Sequence, residues 1–494
     1  KGEWKGRHFD SGTVYGVFKN SSIIIENFHF QSDKDFLQLS GNFDGKNKYK
    51  IERIQLAHEN NYLVNAKPIF FEKKNFDINV KPFELHINDG LMEGVITKTN
   101  NSTDGKFKMS NFDAEVLTQF IDDKRLKLSG LIFGEIMVDN KKDSYDVDVD
   151  LSLKNGFYME EPFDEMVVSG LYKNGILHVD DLSMTKEKSI GLHIDGIIPI
   201  TGSGTHAPIS MESSFSNVSL KFIHRFIPEF FNIGGSASGS MSLNGTTKKT
   251  HFLYDIKINK PEFELVKMES LISKGSYDGE NLHVENAYAK DENGYLSASG
   301  YVPFDLNIGS ENFGEIFIDK PIHLKSQANL SDLPFLSPYI ADLDSAEGNY
   351  KINLNIEGLI NNLKRDGDVV IQNGVLHTQL LNDPIRLING KAFLADNRLK
   401  IENLYARIAR DNEKNKDEKF QNTQISGEVS LAKFFHPHYN LKLLSKDASF
   451  RLLFLDITGK TNLDLSISGR DTVYISGKIE PEDVNVFYEF ATED

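Results

Sequence analysis

The chain has 494 residues, of which 39% are hydrophobic, so it is long enough for about three ordinary domains and apolar enough to fold. It carries 55 Lys and Arg against 72 Asp and Glu, which gives a net charge of −17. This charge repels nucleic-acid phosphates and anionic lipid headgroups alike, and it argues against nucleic-acid binding. It contains no cysteine, which excludes disulfides and thiol nucleophiles, and its 35 Phe and 17 Tyr against one Trp favour long β-strands. Because it begins at Lys1 and lacks a charged segment followed by an apolar one, we expect an excised piece of a longer protein.

Strict alternation of apolar and polar residues predicts strands along most of the chain. The clearest segments are residues 145–153, 254–258, 350–356 and 462–467. Such alternation is typical of antiparallel sheets with one apolar and one solvated face, whereas the covered strands of parallel sheets are apolar throughout. The expected fold class is therefore all-β and antiparallel.

A repeated phrase organises the chain. The matching copies are residues 170–182, 275–287 and 390–404, with a weaker copy at 41–54. Each copy predicts a strand, a turn that contains Gly or Asn, and a second strand, and the repeat length is about 105 to 117 residues. A following strand is expected to end at a glycine, namely Gly196, Gly300 or Gly427.

Short amphipathic helices are predicted between the hairpin blocks, at residues 112–121, 219–231, 331–341 and 448–455. In the second, Leu220, Ile223, Ile227 and Phe230 recur at helical spacing, and we expect them to plug the sheet or lie at its rim. The blocks are expected to form one rod without linkers. Their predicted bounds are 1–111 (partial), 112–218, 219–330, 331–447 and 448–494, the last being the start of a fifth block.

Patterns for catalysis and metal binding are weak. His436 and His438 form the only close histidine pair, and they lack acidic partners at ligand spacing. Asp146, Asp148 and Asp150 alternate along one predicted strand, which places them on its solvated face without the glycine-bearing loop of a calcium site. No P-loop or Gly-x-Ser-x-Gly elbow occurs. We predict that the protein is not an enzyme and holds neither cofactor nor metal.

The apolar face is the remaining candidate for function. Repetition of open hairpin blocks, without further strands to cover them, favours a long sheet that curls on itself. A sandwich in which a second sheet covers this face stays open as an alternative. The residues expected to line the inside are Val147, Val149, Leu151, Leu177, Val179, Ile256, Ile258, Leu282, Val284, Ile352, Leu354, Ile356, Leu399, Ile401, Leu463 and Leu465.

The phrase that recurs is Gly, a turn, Leu-x-Val-x-x-Leu, and then a strand to Gly-x-x-Pro. Together with residues 217–222 and 231–239, this phrase resembles the TamB/AsmA-like bridge proteins of Gram-negative envelopes. The resemblance covers nearly the whole chain. It implies an elongated, U-shaped β-sheet trough of the β-taco type, with an apolar groove that conducts phospholipid between the inner and outer membranes. It also implies a periplasmic location, an inner-membrane anchor in the full-length protein and an outer-membrane assembly barrel protein as partner. Bound phospholipid or detergent acyl chains are compatible with it.

Two other classes of function stay open. A scaffold for outer-membrane protein assembly would share the fold and location, but would bind an unfolded β-strand at a sheet edge. A surface adhesin or glycan-binding β-solenoid would also be long and acidic, although such solenoids repeat every 20 to 30 residues or so.

Overall fold

Antiparallel β-strands make up almost all of the structure, which is a computed structural model. It describes residues 2–4, 7–32, 35–44, 47–58, 61–115, 128–141, 144–158, 161–187, 190–199, 208–220, 233–263, 266–310, 312–333, 343–379, 381–410, 420–432, 436–452, 457–470 and 472–486. The predicted all-β, antiparallel fold class is confirmed. By its internal contacts the chain divides into unit 1 (Lys1–Val218 and Ser238–Thr250) and unit 2 (Ser219–Ala237 and His251–Asp494).

In unit 1 most strands pair with the next strand along the chain. The strands are β1 (Gly2–Trp4), β2 (Arg7–Phe9), β3 (Ser11–Lys19), β4 (Ser22–Gln31), β5 (Asp35–Phe43), β6 (Lys48–His58), β7 (Asn61–Asn65), β8 (Ile69–Lys74), β9 (Asp77–Ile87), β10 (Gly90–Lys98), β11 (Ser102–Asp113), β12 (Leu128–Lys141), β13 (Ser144–Tyr158), β14 (Glu161–Lys173), β15 (Ile176–Lys186), β16 (Ile190–Pro199) and β17 (Pro208–Ser219). β6 pairs with both β7 and β8, and each of these pairs with β9. β1 and β2 form a separate pair.

Unit 2 follows the same plan. Its strands are β19 (Thr250–Phe263), β20 (Val266–Lys267), β21 (Ser270–Tyr277), β22 (Asn281–Asp291), β23 (Gly294–Pro303), β24 (Pro321–Asp332), β25 (Leu343–Leu359), β26 (Lys364–Thr378), β27 (Ile385–Ala395), β28 (Arg398–Arg407), β29 (Thr423–Ser430), β30 (His438–Leu452), β31 (Ile457–Gly469) and β32 (Val473–Val486), and the residues of β18 (Ile233–Thr246) are divided between the units. A 3-10 helix, Ile360–Asn362, follows β25. From β21 onward each strand pairs antiparallel with the next.

Tight hairpin turns occur at the repeat positions predicted to turn. Asn174 and Gly175, between β14 and β15, have φ angles of 51° and 84°. Asp396 and Asn397, between β27 and β28, have φ angles of 50° and 65°. Positive φ at both central residues defines the type I′ turn, whose twist matches that of the flanking strands. The residues predicted to turn therefore do so.

The helix predicted at residues 448–455 is wrong for residues 448–452, which belong to β30. A β-bulge precedes this segment. Ser445 pairs with Leu463 and Ala448 with Thr461, so the two residues between Ser445 and Ala448 oppose a single residue of β31. Residues 448–452 themselves pair in regular register with residues 461–457 of β31, so they continue the strand beyond the bulge.

The other predicted helices overlap the ends of strands. Residues 112–113, 219 and 331–332 lie in β11, β17 and β24, whereas residues 114–115 are helical and Leu220 has 3-10 conformation. Ile223, Ile227 and Phe230 lie outside the described residues, so a rim position for them stays a prediction. Across the described ranges, no helix has both the length and the apolar character needed to cross a membrane.

Candidate functional site

The apolar face of the strands is half-buried. Val147 and Val149 of β13 are both half-buried, while Asp148 between them is exposed. In β25, Ile352 and Leu354 are likewise half-buried. Every residue predicted to line the inside has this intermediate accessibility. These side chains are therefore covered only in part by their neighbours.

In unit 1 the apolar side chains form a continuous row across the paired strands. Directly opposed residues of an antiparallel sheet lie on the same face, so a chain of such pairs traces that face. The row that contains Val147 and Leu177 is Phe18, Ile23, Phe43, Tyr49, Phe71, Val80, Ile96, Gly105, Val138, Val147, Tyr172, Leu177 and Ile198. The rings of Tyr49 and Phe71 stack with centroids 4.8 Å apart.

Unit 2 has a corresponding row. It runs through Ile258, Leu271, Ala289, Leu296, Ala328, Ile352, Val369, Ala392, Ile401, Gly427, Leu441, Ile467 and Ile475. Leu354 and Leu399 lie one step away on the same face, joined through Gly367 and Leu394. Each unit therefore presents one uninterrupted apolar face, and the predicted lining residues of that unit belong to it.

A β-bulge explains the spacing Leu-x-Val-x-x-Leu in the repeated phrase. In a regular strand, Val179 and Leu182 would point to opposite faces because side chains alternate. Here Val179 pairs with Gly196 and Leu182 with Ile194, so two residues of β15 oppose one residue of β16. The same shift separates Val284 from Ala287 in β22, and Ile401 from Leu404 in β28. The bulge keeps both apolar positions of the phrase on one face.

The glycine downstream of each phrase lies inside a strand opposite the bulge, not at the end of a strand as expected. Gly300 pairs with Val284 and has a φ angle of +137°. A Cβ added there would lie 2.0 Å from the backbone oxygen of His323 on the next strand. Only glycine combines this φ with such a close approach of two backbones, which accounts for its recurrence in the repeat.

The apolar face of unit 1 is buried toward one end of the strands and exposed toward the other, whereas the face of unit 2 also has buried residues at the opposite end, where Tyr277 is 2% and Ile322 is 7% exposed. In β13, Leu153 is 3% exposed whereas Tyr145 is 48% exposed. The sealed end of unit 1 is formed by Ile87, Met109, Phe112, Ala114, Ile132, Leu153, Phe163 and Met166. In unit 2 the corresponding cluster is Ala328, Leu330, Leu333, Ala346 and Tyr350. We call these ends the sealed margin and the opposite ends the open margin.

The opposite face of the sheet is polar. Lys173 Nζ lies 2.9 Å from Asp146 Oδ2, and Lys442 Nζ lies 3.3 Å from Asp464 Oδ1. Such exposed ion pairs contribute up to about 1 kcal/mol each, so they suit a solvated surface. Over the ranges that the structure describes, no group of three or more His, Asp or Glu side chains is arranged to bind a metal.

Tyr350 and Asp278 have shifted pKa values with structural causes. Burial raises the pKa of Tyr350 to about 12, with a further contribution from the carboxylates of Asp332 and Glu347. Burial alone would raise the pKa of Asp278, but hydrogen bonds donated by His283 and nearby backbone amides hold it well below its usual range. Asp278 thereby fixes the turn between β21 and β22, a structural role.

A lysine-lined recess at the open margin of unit 1 was missed by the sequence reasoning. It has a volume of about 460 Å³ and lies where β6, β8, β9 and β10 meet their turns. Its charged lining consists of Lys48, Lys73, Lys74 and Lys98 with Glu72 and Asp77. A signal was present, because β3, β8, β10, β12 and β14 all end in lysine at this margin.

Comparisons of the chain with protein-family models, with curated proteins and with solved structures find no match. The resemblance to the TamB/AsmA-like family therefore stays a prediction that depends on the repeated phrase.

Proposed function

We propose that the protein is a bridge-type lipid-transfer protein of the TamB/AsmA-like kind. It moves phospholipid between the inner and outer membranes of a Gram-negative envelope, works in the periplasm, and meets an outer-membrane assembly barrel protein. The observation that carries the proposal is the uninterrupted, half-buried apolar face of each unit, which includes Val149 in unit 1 and Leu354 in unit 2.

The half-burial of the apolar side chains distinguishes the proposed trough from an ordinary sandwich of two sheets. When two sheets pack face to face, the side chains between them become fully buried. Here full burial is limited to part of each face, and positions such as Ile352 and Leu354 remain accessible. Acyl chains that cover such a face leave water with a gain of about 0.8 kcal/mol per methylene. A curled trough would hold them while the headgroups stay in water.

The test is to identify what touches the face. Phospholipid should be found by mass spectrometry in organic extracts of the purified protein. A photo-crosslinking amino acid at Leu354 should capture phospholipid in cells. The same amino acid at Asn353, which is exposed on the polar face, is the matched control and should not. Absence of lipid from the extracts, together with equal labelling at both positions, would contradict lipid transfer.

One observation favours the assembly scaffold as a second candidate. β32 pairs with β31, and all of its described residues are exposed, including Ile475 at 65%. Among the residues that the structure describes, β32 pairs on one side only, and such a strand is a template for another strand. If crosslinkers in β32 and at Leu354 capture only outer-membrane proteins, the scaffold function should replace lipid transfer.

A further inference from the structure

The lysine-lined recess of unit 1 lies at the strand ends where the two faces of the sheet meet. Lys73, Ile78 and Lys98 of its lining are on the apolar face, whereas Lys48 and Lys74 are on the polar face. Lys73 pairs with Ile78, and Ile78 pairs with Lys98. Because side chains alternate along a strand, Lys73 and Lys98 share a face with Phe71 and Ile96, two residues further from the margin. The two lysines therefore form a cationic lip on the apolar face itself, with Ile78 between them.

The charge of the recess is available for a ligand. Among the residues that the structure describes, the ammonium groups of Lys48, Lys73, Lys74 and Lys98 have no carboxylate within ion-pair distance. The two acidic residues of the lining already have partners. Glu72 Oε1 lies 3.9 Å from Lys81 Nζ, and Asp77 Oδ1 accepts a hydrogen bond of 3.1 Å from the backbone N–H of Asn100.

The net charge of −17 does not prevent anion binding at this position. Charges farther away than about 8 to 10 Å are largely screened at physiological salt, so the nearest groups decide the local potential. Lys73 and Lys98 are separated by one strand, which places their backbones about 10 Å apart. Their flexible four-carbon stems allow both ammonium groups to reach one anion above Ile78.

We infer that this lip binds the phosphate of a phospholipid headgroup while the acyl chains lie on Phe71, Val80 and Ile96. Lys73 and Lys98 contact the phosphate, and Lys48 and Lys74 add positive potential from the same margin. The inference rests on the proposed lipid-transfer function and adds a headgroup preference: lipids with an accessible phosphate, such as phosphatidic acid, bind more tightly than diacylglycerol with the same acyl chains.

The test compares two acyl-labelled fluorescent ligands, phosphatidic acid and diacylglycerol, on the whole chain. The Lys73→Gln/Lys98→Gln variant should weaken phosphatidic acid binding by about tenfold and change diacylglycerol binding by less than about twofold. Lys73→Arg/Lys98→Arg should retain the preference. Circular dichroism checks the fold, and Lys48→Gln/Lys74→Gln provides an independent pair that should weaken phosphatidic acid binding less.

Lys141→Gln/Lys173→Gln is the matched control. It removes the same charge at the same margin, but Lys141 and Lys173 lie on the polar face and pair with Asp139 and Asp146 at 2.6 and 2.9 Å. This control should leave both affinities unchanged. If it weakens phosphatidic acid binding as much as the Lys73/Lys98 pair, general charge is responsible and the lip is not a site.

The outcomes separate the two proposals. If the unsubstituted chain binds neither ligand, the lipid-transfer function fails. If it binds both and the Lys73/Lys98 variant keeps the same ratio of affinities, only the headgroup inference fails. Glycerol phosphate, which carries the anion without acyl chains, should not displace phosphatidic acid at equal concentration. Equal displacement would show a free-phosphate site and overturn the lipid assignment.

Discussion

The apolar faces of the two units have the same strand plan but different side-chain volume. The unit 1 row contains the rings of Phe18, Phe43, Tyr49, Phe71 and Tyr172. The unit 2 row contains Ala289, Ala328, Ala392 and Gly427 and no aromatic residue. Rings fill the space above a sheet, whereas alanine and glycine leave it open. Along the traced row, unit 2 therefore offers more room for acyl chains than unit 1. Aromatic rings lie elsewhere on the unit 2 face, where Phe252 stacks on Tyr277 with centroids 5.1 Å apart.

The recesses of the two units differ in charge. The recess of unit 1 carries four lysines and two acidic residues. The larger recess of unit 2, about 750 Å³, has the opposite balance, with Asp447, Asp464, Glu480 and Glu482 against Lys446 and Lys478. The unit 2 recess lies toward the sealed margin, where Thr423 and Ser445 are buried, so it is not the counterpart of the unit 1 recess, and headgroup recognition is expected in unit 1.

A charged side chain placed on either apolar face should have the largest effect on lipid capture, and this effect should be confined to the unit that carries the substitution. Leu354→Asp places an ion where acyl chains lie in unit 2, and Val149→Glu does so in unit 1; desolvation of such an ion is strongly unfavourable. We expect each variant to lose at least about tenfold in lipid captured by crosslinkers in the same unit. Quantitative mass spectrometry of the crosslinked lipid measures this.

Lys351→Asp and Asp148→Lys are the controls, because both positions are exposed on the polar faces. They should retain lipid. Full capture in the folded Leu354→Asp variant would show that the unit 2 face does not hold acyl chains.

The bulge glycine should give the largest effect on stability. Gly300→Ala forces a Cβ against the backbone of β24 at an unfavourable φ, so we expect a loss of about 3 kcal/mol or more in the free energy of unfolding. Gly314 also has a positive φ, +91°, but a Cβ there would meet nothing within 4 Å. Gly314→Ala should therefore lose only about 1 kcal/mol. Urea unfolding measures both, and equal losses would rule out the backbone clash as the cause.

The sequence was informative wherever side-chain alternation was regular. The alternation in β13 and β25 predicted strands with one apolar face, and Asn-Gly predicted the turn after β14. Residues 448–452 were predicted as helical, although they pair in regular register with residues 461–457 of β31. The bulges were not predicted either. No local pattern in a single strand reveals a bulge, since it is defined by the register with a partner strand.

The lysine recess shows a second limit. Lys48, Lys73 and Lys98 are far apart in sequence, and each alone is an ordinary end of a strand. Only the order of the paired strands brings them to one place. The overall charge of −17 pointed away from anion binding because a sum over the chain contains no information on local clustering.

Exchanging side-chain volume should sharpen the contrast between the two faces. Ala298→Trp adds an indole next to Ala287 and Ser326 in unit 2, so lipid bound there should fall to about half without loss of fold. Phe43→Ala removes the ring that meets Tyr49 edge-on in unit 1, with centroids 5.8 Å apart, and should raise lipid binding there. Lipid bound per chain is measured by mass spectrometry. Unchanged binding in both variants would show that side-chain volume does not set capacity.

The sealed margin of unit 2 can be probed through Tyr350, where we expect the smallest effect. Tyr350 is 2% exposed, its hydroxyl donates a hydrogen bond of 2.9 Å to the backbone oxygen of Glu347, and its pKa is raised to about 12. An unfolded tyrosine ionises near pH 10. The unfolded state therefore releases its proton first, so stability is unaffected below about pH 10 and falls as the pH rises toward 12.

Tyr350→Phe should lose about 1 kcal/mol at pH 7, where only the hydrogen bond is removed, and should show a weaker loss of stability between pH 10 and 12. Ultraviolet difference titration of the two proteins isolates this one phenol, and a midpoint near 10 would mean that water reaches the sealed margin of unit 2.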